Sequence, residues 1–122
     1  LAFSPNESIL YINDSRKKHV RAFDLEPTGL LNLASDRILF ELNGQLPGGP
    51  DGMKVDTLGR IFCTGSGGIW VFEHDGTHLG VIRGPEVPRN IAFGGPDFRT
   101  VYTTPGVSLY SFRVKTPGIR PY

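Results

Sequence analysis

Two similar tripeptides place residues that could do chemistry at equivalent positions of this 122-residue chain. Pro-Asp-Gly occupies residues 50–52 and Pro-Arg-Asn occupies residues 88–90, so Arg89 aligns with Asp51, and Asn90 follows it. A carboxylate among neutral amide oxygens can coordinate a hard divalent cation or accept a proton from water, and arginine can hydrogen-bond a carboxylate or hydroxyl group. The same tripeptides are typical of turns, in which Asp commonly bonds its own backbone, so the residue types alone leave both interpretations open.

Other polar patterns are better explained by turns. The Gly-Ser-Gly-Gly run at residues 65–68 resembles a phosphate-binding loop, but no helix or lysine follows it, and it predicts a hairpin. His74 and His78 have the spacing of a helical metal pair, yet the Asp-Gly between them predicts a hairpin loop. Asp14 and Asp56 follow predicted strands and precede turns, so we interpret both as turn residues.

The composition favours a compact all-β protein without a charged partner. Gly (16 residues) and Pro (10 residues) exceed a fifth of the chain, as expected of many turns between short strands. The 13 basic and 12 acidic residues are scattered, which argues against a nucleic-acid or membrane partner. The single Cys63 excludes an intrachain disulfide. No apolar run approaches the length of a membrane span, so we expect a soluble protein, with the cytoplasm favoured over the periplasm or secretion.

Short strands must position the candidate residues. Runs rich in β-branched and aromatic residues alternate with turn residues along the chain. These runs lie at residues 9–12, 20–23, 38–42, 61–63, 69–72, 79–82, 101–104 and 109–114. Five aromatic residues on predicted strands should fill the interfaces between sheets. They are Trp70, Phe72, Phe93, Tyr102 and Phe112.

An internal repeat organises these strands. Copies of an apolar strand, a tight turn and a second apolar strand begin 52 and 38 residues apart, at residues 1, 53 and 91. Periods of that size with about four strands are typical of β-propeller blades. The sequence therefore predicts one partial propeller domain over residues 1–122. Its blade-like units lie at about 1–43, 50–84 and 88–114, followed by a tail at 115–122.

Both ends of the chain indicate a fragment whose N-terminal half is absent. The first copy begins in mid-motif at Leu1, and the third unit has apolar runs for only three strands. Open sheet edges invite pairing with another chain. We therefore expect the missing half, or self-association of this chain, to cover the open blade edges.

Three phrases resemble a known family. They are Leu-Ala-Phe-Ser-Pro at residues 1–5 with Leu-Tyr-Ile-Asn-Asp-Ser at 10–15, Gly-Pro-Asp-Gly-Met-Lys-Val-Asp at 49–56, and Asn-Ile-Ala-Phe-Gly-Gly-Pro-Asp at 90–97. They are similar to the SMP-30/gluconolactonase/LRE-like group, which includes senescence marker protein 30 and diisopropylfluorophosphatase-like enzymes. The resemblance implies about two and a half to three four-stranded blades from the C-terminal part of a six-bladed calcium propeller.

The resemblance also implies a function and a site. It implies that the parent protein is a metal-dependent hydrolase of a sugar lactone or related ester, in which metal-activated water attacks the carbonyl carbon. Asp51 matches the family's aspartate ligand and would act as both metal ligand and catalytic base, with Arg89 and Asn90 lining the substrate site. Ca²⁺ is the expected cation, with Zn²⁺, Mg²⁺ and Mn²⁺ as alternatives. The family's glutamate and two asparagine ligands have no counterpart here, so this chain alone would lack a complete site.

Two other functions remain open from the sequence. Propellers also serve as non-catalytic binding or scaffold modules, and this chain could be a segment of one. Alternatively, copies of the chain could associate with one another and bury their open edges.

Overall fold

The structure, a computed structural model, describes residues 1–121 and contains three antiparallel sheets. Apart from a single 3₁₀ turn at Leu33–Ser35, no helix forms in this described part. The predicted all-β fold is confirmed. The first sheet contains β1 (Ala2–Phe3), β2 (Ile9–Asp14), β3 (His19–Asp24) and β4 (Arg37–Glu41). The second contains β5 (Met53–Val55), β6 (Ile61–Gly65), β7 (Gly68–Phe72) and β8 (His78–Ile82). The third contains β9 (Asn90–Gly94), β10 (Thr100–Thr104) and β11 (Tyr110–Arg113).

Each sheet is built in chain order by hairpins, as the turn residues predict. Gly65 pairs with Gly68 across a two-residue turn in which Gly67 has φ 74°, so the predicted hairpin at 65–68 is confirmed. His74 lies in the loop between β7 and β8, and His78 stacks on Trp70 at a ring distance of 4.7 Å. His74 and His78 therefore belong to a β-hairpin and do not form a helical metal pair.

The second sheet lies between the other two and buries side chains on both faces. On β6, Ile61 and Cys63 belong to the core shared with the first sheet, whereas Phe62 belongs to the core shared with the third. This alternation explains why all of β6 is buried. A four-stranded sheet in this arrangement is stable because both neighbours cover it, which is how propeller blades pack.

Four of the five predicted aromatic residues lie in these interfaces. Phe72 and Trp70 pack in the first core, and Phe93 and Phe112 pack against the second. Tyr102 lies outside these two interfaces and is 40% exposed in this chain, so the prediction for it stays a prediction. Its β10 neighbours are the ones that are buried, and alternation along the strand turns Tyr102 to the opposite face.

A buried aspartate closes the turn between β5 and β6. Asp56 has no exposed surface, and its Oδ1 accepts hydrogen bonds from the backbone N–H groups of Leu58 and Arg60, both at 3.0 Å. Its Oδ2 accepts from Nε and Nη2 of Arg60, both at 2.7 Å. The predicted turn role of Asp56 is confirmed. Asp14 also closes a turn, but with backbone bonds alone: its Oδ1 accepts from the backbone N–H groups of Arg16 and Lys17, both at 2.9 Å.

The same turn fastens the C-terminal segment. The Arg60 guanidinium also donates to the Thr116 hydroxyl, and the Thr57 backbone N–H donates to the Pro117 carbonyl at 2.9 Å. Gly118 donates to the carbonyl of Phe98, which belongs to the loop of the third sheet, at 2.9 Å. A Cβ on Gly118 would lie 2.1 Å from the Phe93 ring, so only glycine fits there. The tail thus ties the second and third sheets together.

None of the described residues forms a helix long and apolar enough to cross a membrane.

We expect Asp56→Ala to lower the free energy of unfolding by about 3 kcal/mol, because it leaves a half-buried guanidinium and two turn amides without their acceptor. Urea unfolding followed by circular dichroism measures the change. Asp75→Ala is the matched control, since Asp75 also accepts a turn amide, that of Thr77, but is exposed. This control should change the unfolding free energy by less than about 1 kcal/mol. Equal losses in the two variants would contradict the role given to Asp56.

Candidate functional site

A cleft of about 350 Å³ opens at the end of the sheets where β5 and β9 begin. Three connections of the chain form it: the turn after β2, the segment before β5 and the segment before β9. Its lining residues are Ser15, Pro47, Gly48, Gly49, Pro50, Asp51, Val87, Pro88 and Arg89. The structure therefore brings Asp51 and Arg89 to the same cleft.

The backbone of Asp51 is held from both sides. Its N–H donates to Oγ1 of Thr64 at 2.9 Å, and its carbonyl accepts from Nδ2 of Asn13 at 2.8 Å. The preceding carbonyl, that of Pro50, accepts from the Ser15 hydroxyl at 2.6 Å. Because these partners belong to the first and second sheets, the position of Asp51 depends on how the two sheets pack.

The segment before β9 is joined to the same loop. The Gly52 N–H donates to the Arg89 carbonyl at 2.7 Å. A Cβ on Gly52 would lie 2.6 Å from the Cα of Asn90, so the two chains approach this closely only because residue 52 is glycine. The Thr64 hydroxyl lies 3.3 Å from the Gly49 carbonyl and 3.5 Å from that of Arg89. Thr64, which is fully buried, therefore joins β6 to the segments before β5 and β9.

The carboxylate of Asp51 is exposed and engages no partner. Among the seven aspartates of the sequence, it is the one whose side chain accepts no hydrogen bond and forms no ion pair within residues 1–121. The other six bond turn amides, arginines or both; they are Asp14, Asp24, Asp36, Asp56, Asp75 and Asp97. Asp51 thus uses its backbone to build the loop, while its side chain has no partner among residues 1–121 and the residue lines the cleft.

Arg89 and Asn90 differ in how they are placed. The Arg89 side chain is exposed at the cleft and forms no ion pair with Asp51 in the described structure. Asn90 begins β9 beside Gly52, and its Oδ1 accepts from the backbone N–H of Ile91 at 2.8 Å. Asn90 is not among the residues that line the cleft.

Three positioning residues were not singled out from the sequence as part of the site: Asn13, Ser15 and Thr64. Thr64 is a polar residue at the end of a strand that is otherwise apolar or glycine, which is the one sequence signal for it. Asn13 and Ser15 lie 38 and 35 residues from their partners, and no local pattern relates them to Asp51.

A direct comparison with protein families identifies the family of this chain. The family model of the SMP-30/gluconolactonase/LRE-like region matches residues 1–106 of this chain. The chain belongs to the SMP-30/gluconolactonase/LRE-like family. The family resemblance inferred from the three phrases is therefore confirmed.

Two named relatives are lactonases. The gluconolactonase of Zymomonas mobilis is 32% identical over 127 residues, which cover 97% of this chain and 35% of that protein. The pentonolactonase XacC of Haloferax volcanii is 36% identical over 109 residues, which cover 85% of this chain and 36% of that protein. This SMP-30/gluconolactonase/LRE-like chain thus spans about a third of the length of these relatives.

Solved structures share the fold. The gluconolactonase of Xanthomonas campestris superposes with a TM-score of 0.78 at 29% identity, covering 97% of this chain and 36% of that one. Regucalcin of Agrobacterium tumefaciens, described as a calcium-binding protein, superposes with a TM-score of 0.78 at 22% identity, covering 99% of this chain and 46% of that one. The three sheets are therefore blades of a β-propeller, as predicted.

The donor atoms of the cleft fit a divalent cation in kind. Two free carboxylate oxygens on a fixed backbone suit a hard cation such as Ca²⁺, which prefers oxygen ligands. Within the described residues, however, no group of three or more His, Cys, Asp or Glu side chains comes together. Asp51 is the one acidic residue among those that line the cleft.

A buried thiol lies behind Asp51. Cys63 has no exposed surface, and its Sγ lies 3.6 Å from Nδ2 of Asn13. Burial raises the pKa of the Cys63 thiol to about 11, although the hydrogen bond from Asn13 acts in the opposite direction. The thiol is therefore neutral at physiological pH and is not a nucleophile of this site.

We expect Thr64→Val to increase the hydrogen-exchange rate of the Asp51 amide about tenfold, because that N–H loses its acceptor. Thr64→Ser keeps the hydroxyl group and should retain the protection. Exchange measured by NMR on both variants checks this expectation. Unchanged protection of Asp51 in Thr64→Val would show that Thr64 does not position the loop.

We also expect the native protein to react very slowly with Ellman's reagent at pH 8, because the buried Cys63 thiol is almost entirely protonated there. The same protein unfolded in urea should react stoichiometrically and serves as the control. Absorbance at the wavelength of the released thiolate measures both reactions. Rapid labelling of the native protein would mean that Cys63 is accessible and contradict its burial.

Proposed function

We propose that this protein takes part in the hydrolysis of a lactone and that Asp51 is a ligand of the divalent cation at the reaction centre. The observation that carries the proposal is the free Asp51 carboxylate, held on a fixed backbone at the mouth of a cleft. The names of the Zymomonas mobilis and Haloferax volcanii relatives support a lactone as the substrate.

Asp51 would act as the general base. Hydrolysis adds water to the lactone carbonyl carbon, breaks the ring C–O bond and leaves a hydroxy acid. The Asp51 carboxylate would accept a proton from the attacking water, and a proton would then pass to the ring oxygen as it leaves. A base in this role must be within reach of the reacting water and not held by another side chain, and no group among residues 1–121 bonds the Asp51 carboxylate.

Arg89 would hold the polar part of the substrate. Its guanidinium lies at the same cleft as Asp51 without pairing with it, so its donors are available to a ligand. A guanidinium binds hydroxyl groups of a sugar lactone and pairs strongly with the carboxylate formed in the product. The cleft volume of about 350 Å³ suits a small molecule of this kind. Asn90 could bind a substrate hydroxyl group only by turning its side chain from Ile91 towards the cleft.

Ca²⁺ is the cation proposed here, because it takes oxygen ligands such as a carboxylate and because regucalcin, a structural neighbour, is described as calcium-binding. Zn²⁺, Mg²⁺ and Mn²⁺ are alternatives. Such a cation would polarise the lactone carbonyl. Because Asp51 is a single carboxylate, tight binding would need ligands beyond the described residues.

The test is a chimera in which this chain replaces the aligned segment of the Zymomonas mobilis gluconolactonase. We expect the chimera to hydrolyse glucono-δ-lactone, and we expect Asp51→Asn to lower kcat/KM at least about 100-fold, because the base and metal ligand are lost. Acid release recorded in a pH-stat, corrected for spontaneous hydrolysis, measures the rate.

Asp75→Asn is the matched control, because Asp75 is an exposed aspartate in a loop away from the cleft lining. It should leave kcat/KM unchanged. A folded Asp51→Asn chimera with full activity would rule out both roles of Asp51. For this chain by itself, we expect little turnover with Ca²⁺ or Zn²⁺, because one carboxylate holds the cation weakly.

A further inference from the structure

A second cavity, of about 280 Å³, lies between the second and third sheets at the same end as the cleft. It shares Pro88 with the cleft but contains neither Asp51 nor Arg89. The proposed lactone hydrolysis makes no use of it. We call it the inter-sheet cavity.

The floor of the inter-sheet cavity is apolar. Ile69 and Ile82 come from the second sheet and Phe112 from the third, and all three belong to or pack against the core between these sheets. Pro85 and Pro88 contribute to the wall formed by the segment before β9. Such a surface favours an apolar ligand, because binding removes apolar area from water.

One buried polar group lines this cavity without a partner. Thr103 is 8% exposed and lies on the same face of β10 as buried Val101, towards the second sheet. Its Oγ1 is itself buried and has no hydrogen-bond partner among the described residues, so a ligand in the cavity reaches it only after the Thr103 side chain turns towards the cavity. A buried hydroxyl group without a partner is unfavourable, so a bound molecule that supplies a hydrogen bond would gain affinity. Thr64, by contrast, has no exposed surface and its hydroxyl group is hydrogen-bonded.

The outer wall of the cavity is fastened by Glu86. Its Oε1 accepts hydrogen bonds from the Ser108 hydroxyl at 2.7 Å and the Tyr110 hydroxyl at 2.8 Å. These bonds join the segment before β9 to the loop between β10 and β11. They also hold the pKa of Glu86 below its usual value, so the carboxylate stays ionised and bonded at neutral pH. The two hydrogen bonds of Glu86 therefore fix the segment before β9 to the loop between β10 and β11.

We propose that the inter-sheet cavity is a binding site for a small neutral molecule with an apolar ring or chain and one oxygen atom that hydrogen-bonds Thr103. The volume of about 280 Å³ lies just below the usual range for small-molecule sites, about 300–1,000 Å³, which matches a ligand about the size of a single ring with a short substituent. The exposed Arg83 and Glu86 also line the cavity, but their opposite charges favour neither sign of ligand charge. A charged ligand would lose its hydration against the isoleucine and phenylalanine floor.

The experiment uses the chain with benzyl alcohol and toluene as probes, since they differ mainly in one hydroxyl group. We expect both to bind in the millimolar range and to shift the amide NMR signals of Ile69, Ile82 and Thr103. Thr103→Val should weaken benzyl alcohol binding about fivefold, the effect of one lost hydrogen bond, and leave toluene binding unchanged. Thr104→Val, the same change on the opposite face of β10, is the matched control and should alter neither.

Two further measurements keep the test decisive. Thr103→Val should be at least as stable to urea as the native chain, because it removes a buried hydroxyl group without a partner. Ile82→Phe should weaken both probes, because the larger side chain fills the cavity. The proposal is overturned if the probes shift signals over the whole surface without saturation. It is equally overturned if Thr103→Val binds benzyl alcohol as tightly as the native chain does.

Discussion

Much of the architecture depends on the ion pair between the Asp56 carboxylate and Arg60. The carboxylate is fully buried, it closes the turn after β5, and its partner Arg60 reaches the tail at Thr116. The tail then bonds both the turn at Thr57 and the third sheet, so one buried charge pair connects two sheets and the C-terminal segment. Burial of an ion pair is costly unless every oxygen and N–H is matched, and here two backbone amides and the guanidinium match the carboxylate.

The short strand β5 therefore has an aspartate beyond each end, and the two have opposite environments. Asp56 follows the strand and is buried, paired and bonded by its side chain. Asp51 precedes the strand and is held by its backbone, with its carboxylate unpaired. Asp56 fixes the C-terminal end of β5, and Thr64 and Asn13 bond the backbone of Asp51 before its N-terminal end. These bonds hold the charged residue Asp51 in place at the cleft. An aspartate with a purely structural role would have its carboxylate bonded, as Asp56 does, whereas the Asp51 carboxylate has no partner among residues 1–121.

The sequence predicted what depends on local patterns and on recognisable phrases. The strands, the hairpin at 65–68 and the propeller family follow from apolar runs, glycine turns and the Pro-Asp-Gly phrase. Local turn patterns alone could not distinguish Asp51 from Asp56, since both stand next to turns, and only the family resemblance separated them. Their difference arises from Arg60, whose side chain reaches Asp56 but not Asp51, and from Asn13, which is 38 residues from Asp51. The exposure of Tyr102 also depends on which face of β10 the second sheet covers.

The segment before β9 separates two sites with different chemistry. Arg89 lines the polar cleft on one side, Glu86 fastens the apolar cavity on the other, and Pro88 belongs to both. Substitutions in this segment would disturb both sites and could not distinguish their roles. Asp51 and Thr103 each line one site alone, and they reach it from different sheets. Asp51→Asn leaves the Thr103 hydroxyl in place, and Thr103→Val leaves the Asp51 carboxylate in place, so the hydrolytic role and the apolar binding site can each fail without the other.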